Sequence, residues 1–148
     1  MKKILIPIDA SEYSKHSVEK GLELAKLMNC DIELVHVIDS GTQSYPHELE
    51  HLRNERFSYP QYMEMVKEQA EALLKRIKES CDASVCKVDT TMLQGPVAKT
   101  LIDYIEGSDA DMVIMGSHGM GSATQRLFMG SVTNKILHHV QKPVLIVR

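Results

Sequence analysis

The feature that most constrains the fold of this chain is an alternation of short apolar runs with segments of helical periodicity. Runs rich in Ile, Val, Leu and Met occur within residues 3–8, 32–37, 112–115 and 143–147, each short enough for one buried strand. Residues 83–93 contain a further strand of alternating character, marked by Val85 and Val88. Between them, apolar residues recur at the spacing of one helix face, as at Val18, Leu22 and Ala25. Helices between successive strands favour parallel strands joined by right-handed crossovers.

This pattern predicts an α/β fold in a single domain over residues 1–148. We expect a doubly wound parallel five-stranded sheet with helices on both faces, of the Rossmann-like kind. Ser11 or Ser14 is available as the N-cap of the first helix, and Pro96 suits the first turn of the third. Residues 39–60 show no periodicity and are predicted to form a surface excursion or lid. The remaining helix faces are predicted from Val66, Ala70, Leu73 and Ile77, from Val97, Leu101 and Ile105, and from residues 132–140.

Composition disfavours several classes of protein. The apolar fraction of 43% and the charged fraction of 25% are typical of a globular domain, and the net charge of −3 gives no basic surface for nucleic acid. The apolar stretch at residues 4–6 is too short for a signal peptide or a membrane span. Cys30, Cys81 and Cys86 form no CxxC pair, which favours a reducing cytoplasm and argues against a metal site. We therefore expect a cytoplasmic protein that binds neither membrane nor nucleic acid.

Glycines and hydroxyl groups follow the fourth predicted strand, where ligands of such sheets bind. Gly116 and Gly119 stand directly after that strand, and Gly130, Ser131 and Thr133 open the next helix. A helix start offers free N–H groups and a positive dipole end to an anion, so these residues form a candidate phosphate cradle. The alternative is a glycine turn followed by an ordinary capped helix.

Other nucleotide motifs and related folds are excluded by their missing residues. The chain contains no GxxxxGK[ST], which argues against a P-loop ATPase. Gly119 and Gly121 open a dinucleotide fingerprint, but Thr124 occupies the third glycine position. A signalling receiver domain needs an acidic cluster after the first strand, where only Asp9 is found, and a Lys-Pro pair after the fifth strand, whereas Lys142-Pro143 precedes it.

Three stretches resemble the universal stress protein family, in the family's order and over essentially the whole chain. They are ILIPIDAS at residues 4–11, MGSHG at 115–119 followed by GSV at 130–132, and KPVLIV at 142–147. The ATP-binding branch of that family carries Gly-x2-Gly-x9-Gly-(Ser/Thr). The resemblance implies an adenine nucleotide α-hydrolase-like fold and an ATP-binding, nucleotide-responsive dimeric stress or regulatory protein. The alternative is a nucleotide-independent dimeric interaction module of the same family.

The resemblance also implies roles for individual residues. Gly116, Gly119, Gly130 and Ser131 would hold the phosphates and ribose, and Asp9 would meet the ribose or a Mg²⁺ or Mn²⁺ ion at the phosphates. Val37 would frame the adenine with Pro7 and Ile8 and offer it backbone groups. The complete predicted nucleotide site is Pro7, Ile8, Asp9, Val37, Met115, Gly116, His118, Gly119, Gly130, Ser131, Val132 and Thr133.

Two departures from the family pattern are visible. Ten residues separate Gly119 from Gly130, one more than in the family, and we expect the extra residue to bulge out between Met120 and Gln125. The family's Gly-x-Pro before the third helix is here Gln94-Gly95-Pro96, with its glycine one place late.

No catalytic group is predicted. His118 belongs to the family's Ser-His dipeptide and is expected to orient the loop, and Ser131 has no identifiable histidine partner. We therefore expect no dedicated enzyme and at most slow ATP hydrolysis. The last strand, which begins at Pro143 and ends at Val147, is apolar throughout and is predicted to form the edge through which two copies make a homodimer.

Overall fold

The computed structural model describes residues 1–40, 58–119 and 129–148. Strands and helices alternate along these residues as the sequence predicts. The elements are β1 (Lys3–Pro7), α1 (Glu12–Met28), β2 (Asp31–Asp39), α2 (Tyr59–Ser80), β3 (Val88–Gly95), α3 (Val97–Gly107), β4 (Met112–Gly116), α4 (Ser131–His139) and β5 (Val144–Val147).

The strands form one five-stranded sheet in the order β3-β2-β1-β4-β5, and every neighbouring pair is parallel. β1 is the central strand, β2 and β3 lie in turn on one side of it, and β4 and β5 lie in turn on the other side. The order therefore reverses between β1 and β4, whose carboxyl ends are Pro7 and Gly116. The predicted fold class is confirmed, and ligands of such sheets bind at this reversal point.

Each face of the sheet is covered by two helices. Val18 and Ala25 of α1 pack with Leu74 of α2 on one face, against strand residues that include Ile4 and Ile6. On the other face, Leu101 and Ile105 of α3 and Ile136 of α4 pack against strand residues that include Leu5 and Val113. Alternate residues of β1 thus enter opposite cores, which explains why this strand is apolar at every position after Lys3.

Several element boundaries differ from the predicted ones. The stretch predicted as irregular from residue 39 to residue 60 is shorter, because Asp39 still belongs to β2 and Tyr59 and Pro60 already belong to α2; the rest of the predicted lid, residues 41–57, lies outside the described residues. Pro96 is the N-cap of α3 rather than part of its first turn. The strongly buried stripe of α2 runs through Met63, Ala70 and Leu74, while the predicted Val66, Leu73 and Ile77 are only half-buried.

The ends of α1 are defined by side chains that the sequence offers for capping. Ser11 is the N-cap, and its hydroxyl accepts a hydrogen bond from the Ser14 N–H at 3.3 Å. Asn29 ends the helix in the left-handed conformation, with φ of 51°, and its N–H donates to the Ala25 carbonyl. In the described ranges, no helix is both long and apolar enough to cross a membrane.

Candidate functional site

A cavity of about 450 Å³ opens at the carboxyl ends of β1 and β4, where the strand order reverses. Its volume lies within the range of small-molecule sites, roughly 300–1,000 Å³. Every residue predicted for the site lines this one cavity. These residues are Pro7, Ile8, Asp9, Val37, Met115, Gly116, His118, Gly119, Gly130, Ser131, Val132 and Thr133.

Asp9 is held in a network at the turn between β1 and α1. One carboxylate oxygen, Oδ1, accepts hydrogen bonds from the Ser11 N–H at 2.8 Å and from the Ser14 hydroxyl at 2.9 Å. The Asp9 N–H in turn donates to the Ser14 hydroxyl at 2.8 Å. The carboxylate is thus oriented at the cavity by the first turn of α1, and Oδ2 lies beside the glycine loop at Gly119.

The amino end of α4 forms the opposite wall of the cavity. Gly130 is its N-cap and provides no side chain to bind the first N–H groups of the helix. Ser131, Val132 and Thr133 follow in the first turn and line the cavity with Gly130. The Thr133 hydroxyl donates to the Gly116 carbonyl at 2.9 Å, so it ties the helix to β4 instead of adding a second donor to the predicted cradle.

The three described glycines of the motif are each packed against protein atoms. A Cβ on Gly116 would lie 2.5 Å from the Tyr13 Cβ, and one on Gly119 would lie 2.9 Å from Asp9 Oδ2. A Cβ on Gly130 would lie 3.3 Å from the His118 Cα. Gly116 is therefore required by the approach of α1, whereas Gly119 and Gly130 allow the loop to lie close to Asp9 and to α4.

His118 is anchored at the base of the loop. Its Nδ1 lies 2.8 Å from the hydroxyl of Ser117, which is buried, and its ring lies 5.0 Å from that of Tyr13. The Ser117 carbonyl accepts the Gly130 N–H at 2.8 Å, which joins the loop to the start of α4. The role of His118 in orienting the loop stays a prediction.

The end of β2 forms the apolar side of the cavity. The Asp31 N–H and the Val35 carbonyl bond to the β1 segment, so the backbone groups of odd-numbered β2 residues point towards β1. Val37 follows by two residues and faces the space beyond the end of β1 at Pro7. The neighbouring His36 donates from Nδ1 to the Ile8 carbonyl at 2.8 Å, since a carbonyl oxygen only accepts.

Sequence reasoning missed some lining residues. They are Ser14, Val35, His36, Val97 and Leu101. Val97 and Leu101 were predicted only as the buried face of α3. They could have been predicted as lining residues because the same helix face continues to the edge of the sheet where the cavity opens. Ser14 stands five residues after Asp9, a spacing that places it in the first turn of α1. The predicted bulge between Met120 and Gln125 lies outside the described residues.

Residues 1–148 match the sequence model of a protein family described as "Universal stress protein family". This chain belongs to that family. A universal stress protein of Methanocaldococcus jannaschii is 28% identical over 148 residues, covering 99% of this chain and 82% of the relative. A putative universal stress protein of Staphylococcus epidermidis is 33% identical over 154 residues, covering 99% of this chain and 84% of the relative.

Solved structures of universal stress proteins share the fold. The hypothetical protein MJ0577, a test case for assigning biochemical function from structure, matches with a TM-score of 0.80 and 27% identity over 99% of this chain and 94% of its own. A universal stress protein in complex with cAMP matches with a TM-score of 0.66 at 17% identity, over 99% and 96% of the two chains. One from Archaeoglobus fulgidus in complex with dAMP matches with a TM-score of 0.63 at 16% identity, over 100% and 98%. Some structural neighbours thus bind adenine nucleotides.

The family predicted from the sequence is therefore confirmed. The assignment to the ATP-binding branch stays a prediction, as do the nucleotide roles of the lining residues.

Proposed function

We propose that this universal stress protein binds ATP in the cavity at the carboxyl ends of β1 and β4 and responds to it as a dimeric stress or regulatory protein. The observation that carries the proposal is the amino end of α4, which lines the cavity without a capping side chain. Free N–H groups and the positive end of the helix dipole favour a phosphate there. The adenine nucleotides in the named complexes of structural neighbours support the same ligand class.

We propose the following placement of the nucleotide in the cavity. The adenine lies at the ends of β1 and β2, against Pro7 and Ile8, where the backbone groups of Val37 face the space beyond β1. The phosphates lie at Gly130 and Ser131, at the start of α4. The ribose lies between these two regions, near Asp9.

The charges of the lining favour a divalent cation with the triphosphate. None of the described residues that line the cavity is Lys or Arg, and Asp9 adds a negative charge of its own. No three His, Cys, Asp or Glu side chains in the described ranges are grouped to hold a metal by themselves. A Mg²⁺ or Mn²⁺ ion would therefore be held by the Asp9 carboxylate together with phosphate oxygens, which is the usual way in which proteins bind Mg²⁺.

We infer no dedicated enzymatic reaction at this site. Phosphoryl transfer needs groups that stabilise the charge developing on the phosphates and orient the nucleophile. His118 is instead bonded to Ser117 through Nδ1, and Ser131 stands at the start of α4, where no described histidine is hydrogen-bonded to it. ATP hydrolysis would be slow at most, so that bound ATP acts as a ligand and not as a substrate.

The proposed assembly is a homodimer through the last strand, in the cytoplasm. β5 is at the edge of the sheet. The Pro143 carbonyl just before it and the Val147 carbonyl at its end accept hydrogen bonds from the β4 side, so the odd-numbered residues face β4. The backbone groups of Val144 and Ile146 therefore point away from the sheet. Pairing this edge with a second copy would satisfy those groups and cover the half-buried apolar side chains of the strand.

Calorimetry with ATP, with and without Mg²⁺, tests nucleotide binding. We expect ATP to bind the unmodified protein and Gly130→Val to abolish binding, because the new side chain would occupy the start of α4 and lie within 3.3–3.5 Å of the loop backbone. Gly107→Val is the matched control, since a Cβ at Gly107 meets no atom within 4 Å. It should bind ATP as the unmodified protein does.

The alternative function has a distinct outcome in the same experiment. A protein that gives no heat with ATP, cAMP or dAMP, but still forms a dimer, is a nucleotide-independent interaction module. Unchanged ATP affinity in Gly130→Val would show that the ligand lies elsewhere.

A further inference from the structure

The three cysteines lie together at the amino edge of the sheet, opposite the nucleotide cavity. Cys30 precedes β2, Cys81 caps the end of α2, and Cys86 stands two residues before β3. Cys30 and Cys81 are buried members of the apolar cluster between the sheet and helices α1 and α2, and Cys86 packs against that cluster. All three are free thiols, and Cys86 is the most exposed of them.

Strand register brings Cys86 opposite Cys30. β2 and β3 pair without a shift from Ile32↔Val88 to Asp39↔Gly95, and extending this register by two residues places Cys30 across from Cys86. The Ile32 N–H donates to the Lys87 carbonyl at 2.9 Å, and the Lys87 N–H donates to Asp31 Oδ1 at 3.3 Å, so the two segments still run side by side at the residues that follow Cys30 and Cys86. Neighbouring strands lie about 5 Å apart, within the range of about 4.4–6.8 Å between Cα atoms that a disulfide spans.

The side chains of these two cysteines are on the same face. Ile32 and Val88 both enter the cluster between the sheet and α1 and α2. Because strand side chains alternate with a period of two, Cys30 and Cys86 face the same way as these residues. Their contacts with the same cluster agree with this direction.

Cys81 reaches the cluster from α2. Its Sγ lies 3.2 Å from the Ile77 carbonyl, and the turn that follows is closed by the Val85 N–H, which donates to the Asp82 carbonyl at 3.0 Å. This turn leads the chain back to Cys86. Cys86 thus has two buried thiols near it: Cys30, which directly precedes β2, and Cys81, at the end of α2.

The environment of these thiols favours slow oxidation over metal binding. Among the described residues, no three His, Cys, Asp or Glu side chains are grouped so that they could hold a metal ion, and this includes the three cysteines. Burial raises the pKa of all three thiols, and the nearby Cys81 and Asp31 raise the pKa of Cys86 further. Few of the thiols are ionised at neutral pH, so a strong or sustained oxidant is needed.

We propose that these cysteines form an oxidation site in which Cys86 makes an intramolecular disulfide with one of its two buried neighbours, Cys30 or Cys81. A hydroperoxide first transfers one oxygen to the Cys86 thiolate, which becomes a sulfenic acid while the peroxide is reduced to an alcohol or water. The buried thiol then attacks the Cys86 sulfur, the S–S bond forms, and water leaves. A transient disulfide of this kind is compatible with a reducing cytoplasm.

Thiol counting and intact mass measure the reaction. The reduced full-length protein is treated with excess hydrogen peroxide, denatured and labelled with a maleimide. We expect the free thiols to fall from three to one, with a mass loss of two hydrogen atoms and no covalent dimer. Cys86→Ser should keep both of its thiols under the same treatment, and because Cys86 is only half-buried this variant should fold.

Cys30→Ser and Cys81→Ser identify the partner, since the disulfide should be lost in the variant that removes it. If either variant fails to fold, peptide mapping of the oxidised protein without substitutions identifies the disulfide partner. Three persisting thiols, oxidation of Cys86 that stops at an acid, a disulfide between Cys30 and Cys81, or a covalent dimer would each overturn the proposal. ATP binding, measured on the oxidised protein before it is denatured, should not change, because the cavity lies at the other edge of the sheet.

Discussion

At the scale of single residues, the position of Asp9 depends on Ser14. The Ser14 side chain is 6% exposed, accepts the Asp9 N–H and donates to the Asp9 carboxylate. Ser14→Ala removes both hydrogen bonds and leaves a half-buried N–H without this acceptor, which costs about 1–3 kcal/mol. We expect the free energy of unfolding in urea to fall by that amount and ATP to bind more weakly.

Ser80→Ala is the matched control for this serine substitution. The Ser80 hydroxyl also makes a hydrogen bond, at 2.6 Å to the Ile77 carbonyl, but Ser80 is exposed at the end of α2. Its replacement should change the free energy of unfolding by less than about 0.5 kcal/mol and leave ATP affinity unchanged. Equal effects of the two substitutions would contradict the role given to Ser14.

At the scale of elements, the end of α1 depends on a left-handed residue. Asn29 has φ of 51° and leads directly into Cys30 and β2. An L residue with a Cβ and no local hydrogen-bonding side chain is disfavoured in this conformation, so Asn29→Ala should lower the free energy of unfolding by about 1 kcal/mol. Asn29→Gly should be neutral or slightly stabilising.

Chemical denaturation of the two variants measures this difference. Asn29 is exposed, so lost packing does not obscure the effect of backbone conformation. Equal stabilities of the alanine and glycine variants would show that the turn between α1 and β2 tolerates another conformation.

At the scale of the whole molecule, the proposed homodimer depends on backbone groups of β5. The Ile146 N–H points away from β4, so Ile146→Pro removes an outward donor while the bonds from β5 to β4 can remain. We expect light scattering to give twice 16.7 kDa for the unmodified protein and 16.7 kDa for this variant. Proline should prevent two edge strands from pairing because it lacks the N–H that the ladder needs.

Ile146→Ala provides the control for lost side-chain volume. It shortens the same half-buried side chain but keeps the N–H, so it should remain a dimer. A dimer that persists in Ile146→Pro would place the interface on another surface. An unmodified protein that is monomeric would remove the proposed assembly and leave the nucleotide site unaffected.

The sequence determined the order of the elements, the fold class and most of the residues around the cavity. Strand and helix follow from local periodicity, and parallel strands bring the ends of β1, β2 and β4 to one edge whatever their side chains are. Gly119 could therefore be predicted at this edge from the pattern alone, and the resemblance to the universal stress protein family added Asp9 and Val37, which are far from it in the chain. Ser11 and Ser14 could both be predicted as candidate caps, because capping depends only on neighbouring residues, and the structure has Ser11 in that position.

Only the tertiary structure decided which partner each of these residues meets. Gly116 makes room for Tyr13, the Thr133 hydroxyl bonds to the Gly116 carbonyl, and His36 bonds to the Ile8 carbonyl. The convergence of the three cysteines was likewise invisible in their spacing, because it depends on the register of β2 against β3 and on where α2 ends. Periodicity specifies which face of an element is buried, but contacts between elements depend on how far each one is shifted along its neighbour, and that shift is set by packing.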